Sequence, residues 1–330
     1  MLTKDRYEQE TISHSGLNAF AVSPRSYRRY KDYRDSQTTS VALSLGSAVH
    51  CFVLEPEEFY DRYVLAPNEV PSPMYKKFIE ELARTEIQGV IYDDEQMKSR
   101  YENAYRIAGF KNPLLPRVIV RYTSEDIMQN YHRFLNTLTD DKAPLSPYEL
   151  TQVKTCKEST GNHKLAAQLL YGMPFADRHS EIMILWKYPG YDFTMRSILD
   201  RLVIDKEKKI AYMIDLKTTS KSVHFFSDSY GFYNYYRQMY LYIIATKHYL
   251  NSIGEDAQLY KIIPYIVVVQ TKDNFETAVY SPDIDSVKIA KGEVETLLDE
   301  MKWHFENNLW DFPRAYYEGD GSLIVGLKKE

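Results

Sequence analysis

The sequence predicts an α/β fold, a mixed central sheet flanked by helices and preceded by a mainly helical N-terminal region. Three observations predict it. Capped, amphipathic helix patterns fill most of the first half of the chain. Strongly β-rich runs begin abruptly near residue 180. A helix-length segment then separates two of those runs, giving strands first, then helix, strand and helix. With 330 residues the chain can bury one large α/β core. Neither an internal repeat nor a Pro/Gly-rich linker divides it. The expectation is a single domain over 1–330, with 1–175 mainly helical and 176–330 carrying the sheet and a closing helix.

The elements follow in order. Ser13 or Ser15 can cap a helix through Leu17, Phe20 and Ala21, which Pro24 interrupts. Leu43 to Leu54 is apolar nearly all round, which suggests a buried helix ended before Pro56. Residues 75–86 and 92–108 are charged and amphipathic, two surface helices. The apolar run Arg117 to Tyr122 could be a short strand. Residues 146–171 read as a helix or helix pair, opened by Ser146-Pro147 and closed by Gly172. Glu181–Tyr188, Phe193–Ile204 and Ile210–Leu216 read as strands, with Pro189-Gly190 and Lys206–Lys209 as the turns between them. A Tyr-rich helix is expected over Tyr230–Leu250 and a buried strand over Tyr260–Gln270, with Pro264 near its start. Phe275–Tyr280 adds an edge strand and Asp283–Asn308 a closing amphipathic helix.

Composition narrows the function. Hydrophobic residues make up 44% and charged residues 26%, as in an ordinary globular protein. No stretch approaches the ~20 apolar residues of a membrane helix, and the N-terminus lacks a signal-peptide core, so a cytoplasmic protein without membrane contact is expected. Two cysteines, Cys51 and Cys156, with no CxxC pair argue against a disulfide framework, a structural zinc site or a four-cysteine cluster. The net charge of −5 does not advertise a nucleic-acid binder. That objection weakens for an enzyme that keeps carboxylates to hold a metal. The segment Ser23–Lys31 places Arg25, Arg28 and Arg29 among tyrosines, suited either to DNA contact or to a solvated helix face.

One constellation carries chemistry. Asp200 ends a β-rich run, and Asp215 and Lys217 stand at i and i+2 in Ile214-Asp215-Leu216-Lys217. On a strand that spacing puts both side chains on one face, with Ile214 and Leu216 on the other. Two aspartates joined through a hairpin repel unless a cation lies between them, and Mg²⁺ prefers such hard oxygen donors. The Leu216 carbonyl could supply another oxygen. Lys217 would then orient or deprotonate a water, or stabilise charge developing on a phosphate, as phosphodiester hydrolysis requires. Taken alone, an Asp-x-Lys is more often an exposed pair. Here Asp215 closes an apolar run, and a carboxylate at the end of a buried strand needs a reason to be there. Gln238 and Tyr242, at i and i+4, share one helix face and read equally as ordinary helix residues. His50, in Gly46-Ser47-Ala48-Val49-His50, is either a satisfied core histidine or a metal ligand.

Together these segments resemble the PD-(D/E)xK nuclease superfamily, and within it the phage-type exonucleases of the RecE (exonuclease VIII) group, related to the RecB nuclease domain. The resemblance runs from Ile12-Ser13-His14-Ser15-Gly16-Leu17 through Leu45–His50 and Leu54-Glu55-Pro56. It continues through Leu199–Leu202 and Ile214–Thr219 to Tyr236–Tyr242. Leucine, not proline, precedes Asp200. The resemblance implies a restriction-endonuclease-like core with Asp200 and Asp215 as metal-binding acids and Lys217 as the catalytic lysine. It further implies His50 near the metal, Gln238 and Tyr242 facing the site, and Glu181 as an additional acidic ligand. The implied cofactor is Mg²⁺, with Mn²⁺ as a substitute, and the implied activity is 5′→3′ digestion of linear double-stranded DNA in phage-type recombination. A single-strand-annealing protein and a homo-oligomeric ring are the implied partners. Two other readings stay open. One is an endonuclease or a RecB-like subunit of a helicase complex, whose motor must be another protein because no GxxxxGK[ST] loop is present. The other is an inactive DNA-binding module.

Overall fold

The computed structural model describes residues 11–32, 41–66, 72–85, 90–111, 117–118, 133 and 142–322. The described chain divides into two compact units, one of residues 1–46 and 156–330 and one of residues 47–155. The described helices are α1 (His14–Val22), α2 (Pro24–Asp32), α3 (Val41–Leu54), α4 (Pro73–Arg84), α5 (Asp94–Ala108), α6 (Pro147–Asn162), α7 (Lys164–Leu170), α8 (Phe226–Phe232), α9 (Tyr235–Ser252), α10 (Ile284–Asn307) and α11 (Arg314–Glu318). The strands are β1 (Tyr63–Leu65), β2 (Ala143–Leu145), β3 (Asp177–Lys187), β4 (Thr194–Asp205), β5 (Ile210–Thr219), β6 (Lys261–Gln270) and β7 (Thr277–Tyr280).

The first unit is built on a five-stranded sheet in the order β3-β4-β5-β6-β7. The β3/β4, β4/β5 and β6/β7 pairs are antiparallel, whereas β5 and β6 run parallel. That parallel step needs a crossover, which α8 and α9 supply. The mixed sheet flanked by helices is therefore the architecture expected from the strand pattern. Alternation along β5 explains its two faces. Ala211 and Met213 join a core with Met239, Leu241 and Ala245 of α9 and Val294, Leu298 and Met301 of α10. Ile214 and Leu216 are buried but stand outside that core, on the other face. The end of α6 lies along β6 and β7, with Cys156 Sγ 3.6 Å from the Gln270 carbonyl and Ser159 Oγ 2.7 Å from Thr277 Oγ1. On α1, Ser13 is the cap: its hydroxyl accepts from the Gly16 amide at 3.2 Å.

The second unit holds a parallel pair, β1 with β2, which the sequence did not suggest. It also holds the helix pair α4 and α5, closed over Phe78, Ile79, Leu82, Ala104, Tyr105, Ala108 and Val118. Two expectations need correction. The short strand at 117–122 lies largely outside the described residues, and Arg117 and Val118 are helical. The single helix over Tyr230–Leu250 is two helices, because Asn234 adopts a left-handed backbone (φ 55°) between α8 and α9. Asparagine tolerates this conformation better than most residues, so it ends one helix and redirects the next.

Candidate active site

The site grows from the point where β4 and β5 part. Their ladder pairs Leu202 with Met213 and Arg201 with Ile214, and ends there. Continued by one step, the register would set Asp200 opposite Asp215. Instead the strands diverge, and Asp200 Oδ2 accepts a hydrogen bond from the Leu216 amide at 2.7 Å. A side chain thus takes over a backbone group of β5 where the ladder stops. Asp215 is fully buried, and its carboxylate is 2.6 Å from Lys217 Nζ. The three residues read from the sequence are therefore brought together.

Glu181 enters from the other side of β4. In the β3/β4 register Ser180 faces Arg201 and Ile182 faces Leu199, so Glu181 is the residue opposite Asp200. Its backbone is left-handed, with φ 46° in the middle of a strand. A non-glycine residue there costs on the order of 1–2 kcal/mol. The result is a pair of carboxylates, Glu181 and Asp200, with oxygens within 4.8 Å of each other. Acidic groups at this range repel when ionised, and a hard cation relieves the repulsion. The donor set and the strain that presents it both fit a divalent metal.

Helix α9 closes the site. Gln238 and Tyr242 are buried on one face, and Gln238 Nε2 donates to the Tyr242 hydroxyl at 2.9 Å. Gln238 Oε1 is buried and has no hydrogen-bond partner among the described residues. Such an oxygen is costly unless something polar occupies the site. Tyr235, one turn earlier, lays its ring 5.0 Å from Lys217 Nζ. Sequence reasoning missed Tyr235, although its i, i+3 relation to Gln238 was visible. It also left His14 without a role. His14 Nε2 lies 3.1 Å from the Asn234 carbonyl, so α1 braces the turn into α9.

The electrostatics follow from burial. Asp200 is pushed above the ordinary carboxylate range by burial, against the pull of Lys217 and of the Leu216 amide. Burial alone would lower Lys217, but Asp215 and Asp200 outweigh it and hold the ammonium above its ordinary value. Tyr242 is raised by burial, then by Asp215 and Asp200. The site is thus a closely balanced set of charges rather than a surface ion pair.

Gly46 shows how α3 reaches the same strand. A Cβ built at Gly46 would lie 3.0 Å from Thr218 Oγ1, so the absent side chain permits helix and strand end to approach. His50 stands one turn further along α3, half-buried, in the second unit. Arg25, Arg28 and Arg29 are exposed on α2, while Tyr27 between them is buried. The Arg28 guanidinium lies 5.6 Å from the Trp310 ring.

Residues 13–312 match the family of the PDDEXK-like domain of unknown function, DUF3799. The chain belongs to this family. It is accordingly a member of the PD-(D/E)xK nuclease superfamily, as the acid-acid-lysine motif implied. Among solved structures, one from Eubacterium rectale named "Putative exonuclease" has a TM-score of 0.50 at 12% identity. That alignment covers 100% of this chain and 96% of the other, a likeness of fold. A second, SSO0001, has a TM-score of 0.23 at 14% identity over 68% of this chain and 83% of its own, too distant to bear on the fold. No curated protein matches. Among the described residues, no helix is long and apolar enough to cross a membrane.

Proposed function

We propose that this PDDEXK-like protein is a metal-dependent DNA nuclease, and that it acts as an exonuclease on linear double-stranded DNA. The observation that carries the reading is the meeting of Glu181, Asp200, Asp215 and Lys217 where β4 and β5 diverge. The side chains of Glu181, Asp200 and Asp215 and the Leu216 carbonyl would be the oxygen donors for Mg²⁺ or Mn²⁺. The family resemblance adds His50 as a nitrogen donor. When bound, such an ion neutralises phosphoryl charge and acidifies water. The chain's own residues do the rest. Lys217 Nζ, held by Asp215, is aimed to donate to a phosphate oxygen or to orient the attacking water. Gln238 and Tyr242 wall the site from α9, and the free Gln238 Oε1 offers an acceptor that fixes a water or a hydroxyl. Arg25, Arg28 and Arg29 form an exposed basic face that can follow a phosphate backbone.

The 5′→3′ polarity, a role beside a single-strand-annealing protein in phage-type recombination, and assembly into a ring come from the RecE resemblance. An inactive binding module is the weaker reading, because all the acids and the lysine are present and gathered.

The test is digestion of end-labelled linear and covalently closed circular duplexes with Mg²⁺. Loss of the linear form alone is the expected result, and nicking of circles would make the protein an endonuclease. Lys217→Ala and Asp215→Ala should each lower the rate by about 10²–10⁴-fold while circular dichroism stays unchanged. Undiminished digestion by either variant would overturn the assignment.

A further inference from the structure

The turn between α8 and α9 does more than reverse the chain. Asn234, with φ 55°, redirects the chain there. Four contacts hold it. The Asn234 carbonyl meets His14 Nε2 at 3.1 Å, and the Tyr233 carbonyl accepts from Asn18 Nδ2 at 3.2 Å. The Asn234 side-chain oxygen accepts from Arg237 Nη2 at 3.0 Å and from the Tyr236 hydroxyl at 3.1 Å. Arg237 is itself tied to Asn18 Oδ1 at 3.1 Å and to Glu293 at 2.7 Å. The turn is built rather than slack.

On its inner side Tyr235 covers Lys217 and stacks on Phe226 at 5.8 Å, which stacks on Tyr280 at 5.4 Å. On its outer side Tyr233 lies 5.5 Å from the Tyr235 ring, and Phe232 meets Tyr233 edge-on at 4.9 Å. Phe232 is 79% exposed and Tyr233 52% exposed. A continuous row of rings therefore leads from the ammonium of Lys217 to open water. Two adjoining aromatic residues left in water on a braced turn call for an occupant.

We infer that Tyr233, supported by Phe232, is a stacking platform for an unpaired base of the DNA whose phosphodiester is at Lys217. The inference rests on the nuclease reading and specifies how that site engages its substrate. The occupant follows from the surroundings. A flat ring surface contiguous with a phosphate-directed ammonium matches the alternation of base and phosphate along a single strand. Stacking on an aromatic ring also accepts every base, since each has a π face. His14 and Asn18 are then positioning residues, because they hold the carbonyls of the turn that aims the rings.

The test is affinity of the full chain for fluorescein-labelled oligothymidylate in EDTA, where no hydrolysis intervenes, against an abasic oligonucleotide of equal length. Tyr233→Ala should bind oligothymidylate about tenfold more weakly than wild type, and Tyr233→Trp at least as well. The abasic strand, which offers only phosphates, should be bound equally by all three. Equal binding of oligothymidylate by wild type and Tyr233→Ala would overturn the inference. So would a mass shift between wild type and Tyr233→Ala in sedimentation with unchanged oligonucleotide affinity, which would assign the rings to a second copy of the chain. The exposed position of Tyr233 keeps folding out of the comparison. Failure of the nuclease reading is read separately, as base-dependent binding by a wild type that hydrolyses no DNA.

Discussion

Replacing Glu181 by glycine should stabilise the metal-free protein and remove its response to metal. The magnitude comes from three local terms. Relieving a left-handed backbone at φ 46° returns about 1–2 kcal/mol. Glycine's extra freedom in the unfolded chain costs about 0.5–1 kcal/mol. Two full charges at 4.8 Å would repel by about 3.5 kcal/mol at an effective dielectric near 20. Lys217 and solvent screening leave roughly 1–2 kcal/mol of that. The sum favours the variant by about 1–3.5 kcal/mol without metal. At a thousandfold excess of Mg²⁺ over Kd the order should reverse, because the wild type gains a binding term of about 4.1 kcal/mol. Urea unfolding followed by tryptophan fluorescence is a suitable assay, since Trp186 is buried on the same strand. Two results would refute the reasoning. One is a variant less stable than wild type in EDTA; the other is an equal gain from Mg²⁺ in both proteins.

Two further perturbations probe the framework. His14 is lowered by burial from 6.5 to about 4. A histidine depressed in this way contributes stability that is present above pH 6.5 and is lost as the pH falls toward 4, roughly 3 kcal/mol in all. His14→Gln should therefore flatten the fall in urea midpoint between pH 7 and pH 4.5, and an unchanged slope would remove His14 from the cause. Gly46→Val should press on Thr218 and displace α3 or the end of β5, given the 3.0 Å approach already present for a single carbon. On the nuclease reading that displacement lowers kcat by about 10²-fold with little change in circular dichroism. Full activity in the valine variant would show that the close approach does not set the site.

The sheet was legible because its strands carry alternation and its turns carry Pro-Gly and charged residues. Asp215 and Lys217 share a face by spacing alone, and Gln238 and Tyr242 by helical period. The parallel pair β1/β2 was not legible. Three-residue strands that pair across a long stretch of chain leave no periodic signature. Nor was the break at Asn234, since tyrosine and phenylalanine run on both sides of it, from Tyr230 and Phe232 to Tyr235 and Tyr236, and composition does not mark the change of direction.

Glu181 marks the deeper limit. From sequence it was a carboxylate near the start of a strand, equally suited to solvent. What makes it part of the site is register and backbone together. The β3/β4 pairing sets it opposite Asp200, and the left-handed φ takes it out of the ladder. Neither property is a property of glutamate; both belong to the strands around it. A strained conformation at a residue that glycine would occupy more cheaply is explained if its carboxylate is needed where it stands. The same logic applies to Asp200, buried beside a second acid at a raised pKa, and to the unpartnered oxygen of Gln238. Each is unfavourable singly in the folded chain. On the nuclease reading one event, the arrival of a cation and its waters, would compensate all three, so the stability of the metal-free protein and its capacity to bind metal should trade against each other at Glu181, Asp200 and Gln238.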